Sequence, residues 1–442
     1  MDHTIALAKS SSDSVERASA RVEADRTTPR IVIVGGGFAG LAAARALRNA
    51  QADIVLIDQR NHHTFQPLLY QVATALLSPA DIAAPIRQLE VKQRNLDVIM
   101  AQVTGVDRVG RVVSALAPDG AKIELAFDYL VIAAGAQPSY FGHDEFGRFA
   151  PALKSLTDAD AIRSRTLRAL EFADMENDAS ERRRQLTFVL VGAGPTGVEL
   201  AASLAGMMRV TLRGNFRHID PAAARIVLLD AAPRVLPNFS EAVSANAAKR
   251  LHHLGVEVVT SAKVEVVDEN GVVAGGQRIS SASVFWTAGV AASPVVKMAT
   301  DKTDRAGRAL VDEYLRTPDT ANVFVVGDCA SLTQNGHPVP GVAQAAIQEG
   351  GYAGRAIAGM LRGEPLERPF RYFDKGNMAV VGKNYALLER GSVHTSGFLT
   401  WLIWVFVHIL SLPQMQNRLR VQRQWLWSYL TGERSSRLIF DR

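Results

Sequence analysis

One pattern occurs twice in this 442-residue chain and limits its fold more than any other feature. The β-branched run Arg30–Val34 enters Gly35-Gly36-Gly37-Phe38-Ala39-Gly40. An Ala-rich helical stretch follows over 41–50, and the apolar strand 54–57 then ends on Asp58. Later, the apolar run 186–191 enters Gly192-Ala193-Gly194-Pro195-Thr196-Gly197. The helical stretch 198–208 follows, and the apolar run 226–229 ends on Asp230. Strand, Gly-rich turn, helix, strand and acid make a parallel βαβ unit, and two of them predict two dinucleotide sites.

The glycines have separate tasks. The first permits the tight turn, the second lets backbone N–H groups approach a pyrophosphate, and the third lets the helix pack close to the strand. The helix N-terminus then faces the phosphates with its partial positive charge. The acid at the end of the second strand accepts from the ribose hydroxyls. Asp58 lies 23 positions after Gly35, near the expected spacing, whereas Asp230 lies 38 after Gly192, which predicts an insertion over 209–225.

A third signal is Val323-Phe324-Val325-Val326-Gly327-Asp328, a strand delivering an acid just past a glycine. It reads either as an ordinary turn or as a site for a ribityl hydroxyl. The neighbouring Cys329 reads as a small buried residue. The runs 129–135 and 284–289 both end in small residues, which allow close backbone approach to a cofactor. The chain order predicts an α/β protein with nested domains: an extension over 1–28, a flavin domain over 29–155 and 305–381, an inserted nicotinamide domain over 156–304, and a C-terminal module over 382–442.

Composition enters through charge and sulfur. The net charge is +5, and residues 382–442 alone hold eight basic against three acidic residues. They also hold Trp401, Trp404, Trp425 and Trp427, four of the five tryptophans. A neutral body with a basic, Trp-rich end is not a nucleic-acid platform. The single cysteine excludes an intramolecular disulfide, a thiolate zinc site and a redox pair. No metal-ligand cluster, nucleophilic triad or repeat stands out. Within the C-terminal part, 398–412 is almost wholly apolar and would form a helix about 22 Å long, short for a bilayer core of about 30 Å. Residues 418–430 have helical periodicity, with Trp and Arg placed as at a membrane interface. A dimer interface or a core helix is the competing reading.

Together these residues resemble the type II (non-proton-pumping) NADH dehydrogenases. The resemblance rests on GGGFAG, the loop HHTFQPLLYQVAT (62–74), GAGPTGVEL (192–200), WTAGV (286–290), VFVVGDCA (323–330) and VPGVAQAAIQEG (339–350), and runs from about residue 30 to the C-terminus. It implies a two-dinucleotide-binding flavoprotein fold that passes hydride from NADH to FAD and electrons on to a membrane quinone, menaquinone or ubiquinone. FAD would sit on Gly35, Gly37, Phe38, Ala39, Gly40, Asp58, Gln59, Ala134, Gly135, Gly327, Asp328, Ala343 and Gln344. NADH would sit on Gly192, Gly194, Pro195, Thr196, Gly197, Glu199, Asp230, Ala288 and Gly289, in preference to NADPH, although Arg234 lies near Asp230. The helix expected over 342–360 would direct its N-terminus at the flavin, with Gln344 and Gln348 at the flavin–quinone junction or merely solvated on one face. Glu199 reads either as a dipole complement or, by resemblance, as a catalytic group near the nicotinamide that helps protonate quinone. The loop 66–71 would wall the quinone entry.

The resemblance also implies a peripheral position on the cytoplasmic face of the cell membrane, with the basic C-terminal module against anionic lipid and a homodimer left open. A soluble ferredoxin- or rubredoxin-type reductase and a flavoprotein redox sensor are the alternative functions.

Overall fold

The computed structural model describes residues 28–439, so the extension expected over 1–28 falls almost wholly outside the described residues. The chain divides into two compact units. One comprises the described part of 1–63 with 85–137 and 291–374; the other comprises 64–84, 138–290 and 375–442. This partition differs from the sequence-derived one. Residues 64–84 belong with the second unit, and a boundary at 381/382 would cut an antiparallel sheet whose strands are Asn377–Val380, Ala386–Arg390 and Val393–Gly397.

The first unit is built on a six-stranded sheet. Its order is Arg316–Thr317, Thr320–Val325, Tyr129–Ile132, Arg30–Val34, Asp53–Asp58, Leu96–Met100, parallel except at the first pair. Alternate residues of a strand face opposite sides, and both sides here are apolar. Ile31, Ile33, Leu56, Val131 and Phe324 pack under the helices Phe38–Ala46 and Ala343–Leu361. Val32, Val34, Ile57, Leu130 and Ile132 pack against Val113, Ala115 and Leu125 of a three-stranded antiparallel sheet. A strand buried on both faces reads as a continuous apolar run, which is what RIVIV is.

The two helices meet closely through glycine. A Cβ on Gly350 would lie 2.0 Å from the Ala39 carbonyl oxygen, and one on Gly354 would lie 2.6 Å from that of Ala43. The helix Phe38–Ala46 itself begins on the Gly-rich turn, so this packing also fixes the turn.

The second unit repeats the plan with a four-stranded parallel sheet, ordered Val256–Val259, Arg225–Leu229, Thr187–Val191, Ser283–Trp286. In each unit the strand that enters the Gly-rich turn lies inside the sheet, with neighbours reached by connections in opposite directions. That is the switch point at which ligands enter open α/β sheets. The insertion expected over 209–225 is a π-helical turn, Met207–Thr211, and a short 3-10 turn, Pro221–Ala223.

The C-terminal residues form the helices Phe398–Ser411 and Met415–Thr431. They are not a loose appendage, because three side chains tie them to the segment 64–84 of the same unit. Asn417 Nδ2 donates to the carbonyls of Ala80, Asp81 and Ala83 at 3.0, 2.9 and 3.1 Å. Trp425 Nε1 donates to Gln71 Oε1 at 2.7 Å, and Arg434 Nη1 donates to the Thr74 carbonyl at 2.7 Å. No helix among the described residues is long and apolar enough to cross a membrane.

The glycine contact yields a paired test. Gly350→Ala drives a methyl into the Ala39 carbonyl and is expected to cost about 1–3 kcal/mol. Gly351→Ala meets only the movable Arg355 guanidinium at 3.3 Å and is expected to be neutral or stabilising by up to about 1 kcal/mol. Thermal denaturation of the two variants checks the difference.

Candidate functional site

Each Gly-rich turn is shaped by what it cannot hold. Gly35 has φ +109°, and a Cβ there would lie 2.3 Å from the Ala133 carbonyl oxygen. Gly40 would place its Cβ 1.8 Å from the Gly35 oxygen, while around Gly37 there is open space within 4 Å. Gly36 N–H donates to Asp58 Oδ2 at 2.6 Å, and Arg60 N–H donates to Oδ1 at 2.7 Å, so the acid is braced across the turn. Gln59, beside it, is exposed.

The second turn repeats this geometry. Gly192 has φ +106° and lies against Ala288, with 2.6 Å from its would-be Cβ to the Ala288 nitrogen. Gly197 repeats the 1.8 Å approach, here to the Gly192 oxygen, and Gly194 faces open space. Ala193 N–H donates to Asp230 Oδ2, and Ala232 N–H to Oδ1 at 2.7 Å. The long spacing before Asp230 therefore changes nothing, since strand pairing and not chain length delivers the acid. Pro195 and Thr196 open the helix Pro195–Gly206, and Gly289, with φ +70°, follows the strand end at Trp286. Arg234 is occupied within its own loop. It donates to the Phe239 and Pro237 carbonyls at 2.6 and 2.9 Å.

In the first unit, Gly327 and Asp328 follow the strand Thr320–Val325. A Cβ on Gly341 would lie 3.5 Å from Asp328 Oδ1, which puts the acid beside the start of the helix Ala343–Leu361. That helix has no side-chain cap and no acid in its first turn, which leaves the positive end of its dipole uncompensated by a side chain of its own. Ala134 and Gly135 lie at the end of the neighbouring strand, half-buried. The Gly35 cradle, the braced Asp58, Asp328 and the uncapped helix fit the diphosphate, ribose, ribityl and ring portions of a flavin dinucleotide.

One expected residue, Gln348, is engaged by backbone groups, and Glu349 and His63 are two additions. Gln348 does not present a free amide. Its Oε1 accepts from Phe373 N–H at 2.9 Å, and its Nε2 donates to the Phe373 and Gln344 carbonyls at 3.0 and 3.2 Å. It latches the 370–374 segment to the helix, a role that helical spacing with Gln344 does not reveal. Glu349, unremarked in the motif QAAIQEG, is buried and accepts from Gly327 N–H at 2.5 Å. Burial and the nearby Asp328 raise its carboxyl to about 8. His63 is a second addition. Its ring contacts the Gly36 carbonyl at 3.2 Å and meets Phe38 edge-on at 4.8 Å.

Cys329 is buried with its thiol donating to the Gly135 carbonyl at 3.1 Å, and burial pushes the thiol up to about 12. That is the state of an inert packing residue. Lys383 donates to the Tyr429 carbonyl at 2.8 Å and sits over the Tyr429 ring.

In the second unit a cavity of about 150 Å³ brings the loop 66–70 together with Thr196, Glu199, Trp286, Thr287 and Gly289. Tyr70 and Glu199 both line it. The Glu199 carboxyl accepts from Val380 N–H at 3.2 Å, and the residue forms part of the cavity wall. Burial raises it to about 8. A carboxylic acid that keeps its proton at neutral pH is suited to proton donation.

The sequence matches the pyridine nucleotide-disulphide oxidoreductase family over residues 29–350, which is the class that two such dinucleotide turns define. It is 45% identical to the type II NADH:quinone oxidoreductase Ndh of Mycobacterium tuberculosis over 93% of this chain and 90% of that protein. It is 42% identical to NdhA of the same organism over 93% and 89%. The fold superposes on the structure of NDH2 from Plasmodium falciparum in complex with NADH with a TM-score of 0.83, at 21% identity, covering 94% of this chain and all of that one. The chain belongs to the type II NADH:quinone oxidoreductases.

The buried Glu349 predicts a pH effect on stability. Its folded-state value of about 8 exceeds the ordinary 4.5, so the folded protein holds the proton longer than the unfolded chain. Stability contributed by this group therefore falls as pH rises from about 4.5 to about 8 and levels off above. Glu349→Gln keeps an acceptor for Gly327 and removes that slope. In thermal melts from pH 5 to 9 the variant is expected to gain on the wild type up to about pH 8 and to hold that gain above it.

Proposed function

We propose that this chain oxidises NADH and reduces a membrane quinone, with FAD as its resident cofactor and without moving protons across the membrane. The observation that carries this is the repeated turn, in which an acid braces the second N–H of each Gly-rich loop: Asp58 on Gly36 and Asp230 on Ala193. FAD, when bound, supplies the centre that takes two electrons from NADH and hands them to the quinone. Gly35, Gly37, Phe38, Ala39, Gly40, Asp58 and Gln59 hold its adenosine diphosphate half. Ala134, Gly135, Gly327, Asp328, Ala343 and Gln344 hold its flavin half.

Gly192, Gly194, Pro195, Thr196, Gly197, Ala288 and Gly289 hold NADH, and Asp230 takes its ribose hydroxyls. An acid at that position disfavours a 2′-phosphate, and Arg234 is committed to backbone carbonyls, so NADH is preferred to NADPH. Quinone reduction consumes two protons along with two electrons. Glu199 holds one of them at its carboxyl oxygen in the pocket. Both menaquinone and ubiquinone present the carbonyl oxygens this chemistry requires. Membership of the family leaves the ferredoxin-type reductase and redox-sensor readings without support.

The C-terminal helices suit a lipid surface. Phe398, Leu399, Leu402, Ile403, Phe406 and Leu410 of the first helix, and Leu419, Leu426, Trp427 and Leu430 of the second, are exposed. Arg420 and Arg423 lie exposed among them. This combination of apolar side chains with basic residues favours an anionic bilayer surface, on the cytoplasmic side where NADH is available.

Steady-state oxidation of NADH and NADPH with menaquinone and ubiquinone analogues tests the reaction. Glu199→Gln is expected to lower quinone turnover roughly tenfold or more, with flavin content and NADH-driven bleaching of the flavin retained. An unchanged rate and pH profile would remove Glu199 from the reaction. Leu399→Ser with Phe406→Ser is expected to weaken co-sedimentation with phosphatidylglycerol vesicles. Retained sedimentation, or a change only in oligomeric state, would assign that face to a second copy of the chain.

A further inference from the structure

The peptide groups at the head of the two Gly-rich turns are held in the same way. The first N–H donates to a carbonyl of the next strand: Gly35 to Ile57 and Gly192 to Leu229, both at 2.7 Å. The second N–H goes to the acid, Asp58 or Asp230. The carbonyl of that second residue is claimed as well. In the second unit Leu236 N–H donates to the Ala193 carbonyl at 2.8 Å. In the first unit the donor is a side chain, since His63 Nδ1 lies 3.2 Å from the Gly36 carbonyl oxygen.

A carbonyl only accepts, so the proton of the His63 ring is on Nδ1. Burial lowers the His63 pKa to about 4, which keeps the ring neutral with that one N–H. The side chain is buried, and its ring meets Phe38, the first residue of the helix Phe38–Ala46, edge-on at 4.8 Å. In a trans peptide the C=O and the following N–H point in opposite directions. Pinning the Gly36 carbonyl on His63 therefore turns the Gly37 N–H away from the histidine. Among the described residues that N–H takes no carbonyl acceptor, and Gly37 is exposed whereas Gly36 is buried. Asp58 fixes the peptide before Gly36 and His63 fixes the one after it. Glycine has the widest backbone freedom of any residue, so here both anchors are needed to select one conformation.

We propose that His63 is a positioning residue of the first dinucleotide turn: by holding the Gly36 carbonyl it aims the Gly37 N–H at the diphosphate of the flavin dinucleotide. The inference rests on FAD as the cofactor of this turn, as given above. An amide oriented before its ligand arrives needs no ordering on binding, and the saving appears as affinity. Without the histidine donor the 36–37 peptide is free to rotate and its buried carbonyl loses its partner. The NADH turn is untouched by such a change, because its own anchor is the Leu236 backbone.

Two substitutions separate the donor from the ring. His63→Asn keeps an amide nitrogen near the Nδ1 position and removes the ring. His63→Phe keeps a ring against Phe38 and removes the donor. The FAD dissociation constant is read by diluting the FAD-loaded protein and following the flavin fluorescence that appears on release. The affinity of the same samples for NAD+ is read by equilibrium dialysis. The FAD dissociation constant is expected to rise about tenfold or more in His63→Phe and to stay within about threefold of the wild type in His63→Asn. The NAD+ affinity is expected to be unchanged in both.

The opposite order, with Asn weakening FAD and Phe leaving it intact, would mean that the ring only packs, and would overturn the proposal. Equal effects of the two substitutions, or none in either, would overturn it as well. A loss of NAD+ affinity matching the loss of FAD would assign the effect to a general loosening of the fold. If the wild type carries a different dinucleotide, the FAD reading falls, and the same crossed comparison made on that dinucleotide still decides the role of His63.

Discussion

The structure depends on a carbonyl oxygen resting where a side chain would be. At Gly40 and again at Gly197, a Cβ would sit 1.8 Å from the oxygen of the first glycine of its turn. Only hydrogen fits, so each helix starts after a turn of three residues, 35–37 in the first unit and 192–194 in the second. That proximity brings the second residue of the turn within reach of the acid on the next strand, while the third, Gly37 or Gly194, borders open space. The outer glycine contacts at Gly350 and Gly354 extend the same economy to a second helix, which carries Glu349 beneath Gly327. One kind of close approach thus sets turn, acid and helix together.

What could be read from the sequence was whatever is local. The strands, the two Gly-rich turns and both acids lie within short windows, and apolar runs or φ-permissive residues announce them. The features less legible in the sequence are those decided by distant partners. Gln344 and Gln348 share a helical spacing, but the backbone of Phe373 claims one of them. Asp230 looked displaced by its long spacing, yet the parallel register of 187–191 with 225–229 delivers it to the same place as Asp58. Glu349 carries no local signal, because its significance comes from burial under a turn. The segment 64–84 resembled a loop of the flavin domain and proved to belong with residues 375–442.

Electrostatics give the two units a common property. Glu199 and Glu349 each sit where burial outweighs the single backbone N–H offered to the carboxyl, and both are held near 8. Buried acids of this kind reduce stability as pH rises, which a protein selected only for stability would not retain. In the reaction proposed above, the proton retained on Glu199 goes to the quinone. In Glu349 it lets the side chain fill a space beside Asp328 without adding a second negative charge there.

The ties between the two ends of the second unit bear on how the protein is made. Arg434 reaches back 360 positions to Thr74, and Trp425 reaches back 354 to Gln71. A chain leaving the ribosome forms its units from the N-terminus onward. The dinucleotide turns can therefore close while synthesis continues, but the segment that carries Tyr70 into the Glu199 pocket is tied down only when residues 425–434 have emerged. Chains that stop short of these residues would carry well-formed nucleotide turns and an unfinished Glu199 pocket, so nucleotide binding is a poor marker of the finished fold.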